Sequence, residues 1–260
     1  MSDELQREAL NFVETADLPP FFQPEGAEDV TELPASPPDY QKPELATTIG
    51  SQIASFTQDV DPALREQVAN AFLFAQQAAD KRIAATSDAT STDWYGHYVD
   101  VLGRIGWTIE ERTATVRAFK GSAARLHKAI VPLVTAALAP VAGAAPLIVQ
   151  VLESLKEMDK DRPWITLFSR ASQRAQANQF QIAHVRAGST GPRIKLIAFD
   201  LDVERSVTQV LFAKFATNNA ELLHFDYSLS VNAAVFEKVA PAIQRRLEDR
   251  VKSMVLEIEI

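Results

Sequence analysis

From Trp164 to Val231 the sequence reads as a run of short β-strands, set too close together for anything but antiparallel pairing. Trp164-Ile165-Thr166-Leu167-Phe168 is β-branched and aromatic, and after the polar Ser169 to Asn178 comes Phe180 to Val185. The turn Ala187 to Pro192 leads into Arg193 to Glu204, and Val207 to Phe215 and Glu221 to Ser230 follow. Apolar runs bounded by Gly, Asn and Pro mark strands, and links this short leave no room for the crossover helix a parallel pair needs. Val207 to Phe215 is apolar on both faces, with Val210 and Phe212 against Leu211 and Phe215, the pattern of a strand covered on both sides.

The covers are expected from amphipathic helices. Leu64, Val68, Phe72, Ala75, Ala79 and Ile83 recur at spacings of three and four after Asp61. Trp94, Tyr98, Val101, Leu102 and Ile105 form a second stripe behind a capping Asp93, ending at Gly106-Trp107. Thr108 with Glu111 fits a capping box for a third helix with Val116, Phe119, Ala123, Leu126 and Ile130 buried. Asn232 can cap a last helix with Val235, Val239, Ile243, Leu247 and Val251 inward, and Met254 to Ile260 reads as a short edge strand. The fold class is therefore α+β, a three-layer α/β/α arrangement of an antiparallel β-meander flanked by amphipathic helical hairpins.

Residues 1–46 form a separate region: a short helix over Glu4 to Val13, then an acidic arm. Pro19, Pro20, Pro24, Pro34, Pro37, Pro38 and Pro43 forbid helix or sheet interior there. Such an arm is a linker, or a displaceable segment covering an apolar surface, with Phe21 and Phe22 as its anchor. Residues 47–260 make one domain.

Ala129 to Val149 carries no charged side chain, and Thr135 is its one strongly polar residue. The length suits a membrane span. Pro132, Pro140, Pro146 and Gly143 instead break it into a buried helical hairpin, whose second helix starts at Pro146 and presents Leu147 and Ile148. Trp94, Tyr95, Tyr98 and Trp107 cluster either as core or as rings at a membrane boundary. The membrane-contact candidates are therefore Trp94, Tyr98, Trp107, Ile130, Leu133, Leu138, Leu147, Val210, Leu211 and Phe212.

Composition excludes several classes. A net charge of -8 with pI near 5.1 argues against a nucleic-acid partner. Absence of cysteine removes disulfide and thiolate chemistry. The acidic start Met1-Ser2-Asp3-Glu4-Leu5 has no apolar leader, so synthesis is expected in the cytoplasm, with any release by a non-classical route.

No residue set names a reaction. Phe199-Asp200-Leu201-Asp202-Val203 resembles a phosphatase aspartate signature, but Glu204 and the downstream meander do not fit. His224, Asp226 and Ser228 share one strand face about 6.7 Å apart, too far for a relay between backbone-fixed neighbours. His97 with Asp100 is too sparse for a metal site; His127 and His184 have no sequence partners, and Gly103-Arg104-Ile105-Gly106 is no phosphate loop. Arg245, Arg246, Arg250 and Lys252 read as a wet helix face. Catalytic residues, metal and cofactors are expected to be none.

Three places resemble the Cyt-type cytolytic δ-endotoxin family and the mushroom volvatoxin that shares its fold. Val68-Ala69-Asn70-Ala71-Phe72 resembles its first amphipathic helix. Trp164 to Phe168 with the Asn178 to Gly188 strand resembles its paired strands. Gln209-Val210-Leu211-Phe212 with the closing strand and helix resembles its C-terminal third. Together these cover Ala63 to Leu247. The resemblance implies a soluble protoxin that binds lipid, displaces its helical layers, oligomerises and permeabilises the bilayer. It also implies proteolytic trimming of terminal segments, which the arm before Thr47 would mirror. The competing reading is a non-lytic module holding a lipid or a protein partner on the same fold.

Overall fold

A computed structural model describes residues 2–20, 37–86, 90–119, 126–139, 144–154, 163–172, 178–202 and 220–258. Its helices are α1 (Ser2–Thr15), α2 (Pro62–Ala84), α3 (Ser91–Arg104), α4 (Leu126–Leu138), α5 (Ala144–Ser154), α6 (Pro163–Ser172) and α7 (Ala233–Met254). Its strands are β1 (Leu45–Ile49), β2 (Gln52–Phe56), β3 (Trp107–Phe119), β4 (Asn178–Arg186), β5 (Arg193–Asp202), β6 (Ala220–Val231) and β7 (Val255–Glu257).

All seven strands join one sheet in the order β3-β6-β5-β4-β2-β1-β7. The expected antiparallel meander holds from β4 through β6, where Phe180 faces Phe199 and Phe199 faces His224. Elsewhere the expectation needs correction. The sheet is mixed, because β2 runs parallel to β4 with Ile53 opposite Ile182. The β1–β2 hairpin was not expected either. It turns at Gly50, whose φ of +54° suits glycine, and the side chain of Gln76 fills the space where a Cβ would stand. Gln76 Oε1 accepts from the Ser51 amide at 3.0 Å while its Nε2 donates to the Ile49 carbonyl at 2.9 Å, fastening the turn to α2.

Alternation along the strands sorts side chains into two cores. Ala183, Val185, Ile194, Leu196, Ala198, Phe225, Tyr227 and Leu229 pack with α1, α2, α3 and α7. Ile53, Phe180, Ile182, Ile197, Phe199 and Leu222 pack with α4, α5 and α6. Helices thus cover both faces, the three-layer α+β arrangement. β5 is buried on both faces, since Leu196 and Ile197 are both fully buried.

Local capping signals explain where α2, α3 and α7 begin. Asp61 caps α2 by accepting from the Ala63 amide at 2.9 Å, ahead of Pro62 at the first position. Thr90, rather than Asp93, is the N-cap of α3; Asp93 closes the capping box three residues on. Asn232 caps α7 as expected.

Two elements exchange type. Trp164 to Phe168, expected as a strand, begins α6: Trp164, Ile165, Phe168, Ser169 and Ser172 are buried at helical spacing. Trp107 to Phe119, expected as a helix capped by Thr108 and Glu111, is β3 and pairs along its length with β6. Its Thr108, Ile109, Thr113, Thr115 and Val116 are β-branched, and Gly106 at φ +102° ends α3 before it. The run Val207 to Phe215 lies outside the described residues.

Candidate functional site

The uncharged stretch folds as the expected hairpin of α4 and α5. Ile130, Val134 and Leu138 at four-residue spacing, with Ile148, Val151 and Leu152, are wholly buried against the sheet. Val131, Leu133, Ala137 and Leu147 sit half-buried around them. Pro132 lies inside α4, and one turn on the Thr135 hydroxyl donates to the Val131 carbonyl at 2.8 Å. At 1.5 Å per residue the two helices are about 20 Å and 16 Å long, against a bilayer core of about 30 Å. Among the described residues no helix is long and apolar enough to cross a membrane.

Beneath the hairpin and α6 runs a row of rings that sequence reasoning missed. Phe168 meets Phe180 at 5.9 Å, Phe180 stacks on Phe199 at 4.9 Å, and Phe199 lies 6.2 Å from the ring of His224. The row crosses β4, β5 and β6, so only the strand register brings it together. At its end His224 Nε2 is 3.6 Å from Asp226 Oδ2, closer than strand spacing suggested. Ser228 turns away: it donates to Glu111 Oε2 at 3.3 Å and accepts from Lys195 Nζ at 3.4 Å, so the three do not form a relay. On the same sheet face, the Ser55 hydroxyl lies 2.8 Å from His184 Nδ1. Burial and the nearby Arg186 push the His184 pKa down to about 4.

The aromatic candidates lie on the opposite face. Trp94 is 3% exposed, stacks on Tyr98 at 5.2 Å, and donates from Nε1 to Asp80 at 2.8 Å. Tyr98, fully buried, donates to Gln52 Oε1 at 2.8 Å; Tyr95 donates to the Phe199 carbonyl at 2.6 Å. Trp107 packs between Phe72 and Phe236 at 6.4 and 5.4 Å. Trp94, Tyr98 and Trp107 are thus separated by the sheet from Ile130, Leu133, Leu138 and Leu147, and the structure does not bring the two groups together. Val210, Leu211 and Phe212, like the arm anchors Phe21 and Phe22, lie outside the described residues.

The N-terminal region is fastened at both ends of the arm. Arg246 donates to the carbonyls of Val13, Glu14 and Ala16, and Arg250 to that of Pro19 at 2.6 Å. At the far end the guanidinium of Arg65, 2% exposed, donates to the carbonyls of Tyr40, Lys42, Pro43, Thr57 and Val60. Between α1 and the α3–β3 junction lies a cleft of about 610 Å³, bordered by Leu5, Glu8, Phe12, Arg104 and Trp107. Arg104 stands 5.1 Å over the Phe12 ring and pairs with Asp100 at 2.9 Å. Asp200 of the phosphatase-like motif is half-buried in β5. Among the described residues no group of three or more His, Asp or Glu side chains is placed to hold a metal ion.

No family model matches the chain, and no curated protein matches it. Among solved structures, the one described as "Structure of the Evf virulence factor" aligns over 89% of each chain at 10% identity, with a TM-score of 0.29.

Proposed function

We propose that the protein is membrane-active: a layered form whose α4–α5 cover leaves the sheet on contact with lipid, after which copies associate and permeabilise the bilayer. The observation that carries this reading is the hairpin, uncharged from Ala129 to Val149 and flanked by Lys128 and Glu153, held on an aromatic and aliphatic sheet face by the apolar contacts of Ile130, Val134, Leu138, Ile148 and Val151. Contacts of that kind are as favourable in lipid as in the protein, so leaving the sheet for a bilayer carries little hydrophobic cost. Helices of this length lie in the interface rather than cross it. The arm, whose described ends are held to α7 and α2 by Arg246, Arg250 and Arg65 on the sheet face opposite the hairpin, would act as a strap on the resting form as a whole.

The chain has no cysteine, so a Leu133→Cys variant takes one environment-sensitive dye. Residues 8–41 contain no Lys or Arg, and Lys42 precedes Pro43, so the arm is to be cut at Glu25, Glu28 or Glu32 with a glutamate-specific protease. The expected result is a blue-shifted dye and leakage of vesicle contents, faster after cleavage. Intact vesicles and an unshifted dye, before and after cleavage, would refute the reading. The cleft under α1 favours a second, non-lytic reading, the holding of a single lipid, which predicts saturable lipid binding with no leakage.

A further inference from the structure

At one margin of the sheet, β3 pairs with β6 along its inner side, and among the described residues no strand pairs with its outer side. Residues 108–116 are exposed, well beyond the cover of either helical layer. Of the three large apolar side chains exposed among the described residues, two, Ile109 at 41% and Val116 at 61%, stand on this strand. A long open margin is a template for another strand, which proteins ordinarily blunt with charged side chains, proline or a bulge. β3 contains no Pro, and its one irregularity, between Ile109 and Glu111, lies toward its start. The charges it carries, Glu110, Glu111, Arg112 and Arg117, are of both signs, so they can pair as well as repel. From Glu111 to Phe119 the register with β6 is unbroken.

We infer that the partner of this margin is a second copy of the same chain, its β3 joined antiparallel to the first about a two-fold axis at Ala114. The choice of register follows from symmetry and charge. A two-fold perpendicular to a sheet sets residue i opposite residue j on the same face, so the axis must pass through a residue, not between two. With the axis at Ala114, Glu111 stands opposite Arg117 of the second copy, and Arg117 opposite its Glu111. Thr113 then faces Thr115, a favoured cross-strand pair. On the other face Arg112, whose guanidinium lies 5.6 Å over the Phe225 ring and 5.7 Å over the Tyr227 ring, stands opposite Val116. Neighbouring registers lose this match. An axis at Arg112 opposes two arginines, one at Thr113 leaves Glu111 against Thr115, and one at Thr115 sets Arg117 against Thr113. The dimer would run two seven-stranded sheets into one, and it does not depend on lipid or on the proposed membrane activity.

The test is the mass of the intact chain in solution, by sedimentation across the micromolar range, for wild type, Glu111→Arg, Arg117→Glu and the combined exchange. The wild type is expected to approach twice 28.6 kDa. Each single reversal creates two like-charge pairs and should raise the dissociation constant by about tenfold or more, and the exchange should restore it. Melting temperatures within about 2 °C of wild type would show that these exposed changes leave the fold intact. A wild type monomeric throughout would overturn the inference, as it would if the margin were covered from within the chain. So would a dimer indifferent to both reversals, or reversals not rescued by the exchange.

Discussion

The Ser55 hydroxyl and His184 Nδ1 are 2.8 Å apart between two parallel strands, and both residues are closed off from water. Ser55 and His184 share the sheet face that carries α4, α5 and α6. Burial is the largest cause of the low pKa of His184, which sits near 4.

A histidine whose folded pKa lies below its unfolded value binds its proton more readily in the unfolded chain. Its stabilising effect is present above about pH 6.5 and is lost as pH falls toward 4. Between pH 7 and pH 5 this one group should cost about 2 kcal/mol of folding stability. Urea denaturation at the two pH values measures it, and in His184→Gln the difference should shrink by that amount. An unchanged difference would place the acid sensitivity elsewhere.

Leu138→Ala removes a fully buried side chain from the core beneath the hairpin. The expected cost is about 2–4 kcal/mol by denaturant unfolding. If the membrane reading is right, the same variant also leaks vesicles faster, since it weakens the hold of the sheet on the cover that must leave it. A large loss of stability with slower leakage would contradict that link.

Arg246 satisfies three carbonyls at the end of α1 from a single guanidinium. In Arg246→Ala the helix keeps Phe12 against Phe74 but loses that clasp. Amide exchange over residues 2–19 is expected to rise at least tenfold, corresponding to 1.4 kcal/mol or more, while exchange in β4 and β5 stays as in wild type. Equal acceleration throughout would mean that α1 is not separately releasable.

Arg65 is the harder case to replace. Its planar guanidinium serves five carbonyls from a buried position, a geometry an ammonium cannot copy. Arg65→Lys should therefore lose most of the stability that Arg65→Ala loses, on the order of 3 kcal/mol, because either change leaves the buried Val60 carbonyl and several part-buried ones without a donor. Recovery of full stability with lysine would show that charge alone suffices there.

Elements whose own residues carry both pattern and punctuation were legible in the sequence: α2 behind Asp61-Pro62, α7 behind Asn232, and the α4–α5 hairpin between its prolines. β3 was not, because a margin strand exposed on both faces shows no two-residue alternation, and its Val116 and Phe119 fall by chance at helical spacing with Leu126 of α4. α6 reads as a strand because Trp164 to Phe168, two β-branched and two aromatic residues among five, is ambiguous; the proline at its start is the available signal. β1 and β2 also carried a signal, β-branched residues about Gly50-Ser51, but their five-residue length and full burial leave no period to read. Of the candidate site, the hairpin could be read locally. The ring row from Phe168 to His224, and the separation of Trp94, Tyr98 and Trp107 from the hairpin, depend on which strands become neighbours, and spacing along the chain does not encode that.

Because side chains alternate across the sheet, the interior is two reservoirs of apolar contact with a hydrogen-bonded wall between them. Tyr95 and Tyr98 bond to that wall from the larger reservoir, so the partition would stay anchored on one side if the other emptied. The proposed release of α4 and α5 would then leave a half-opened molecule with α1, α2, α3 and α7 still in place. Heating should reveal it as two separate steps in the heat-capacity trace, in place of a single cooperative peak.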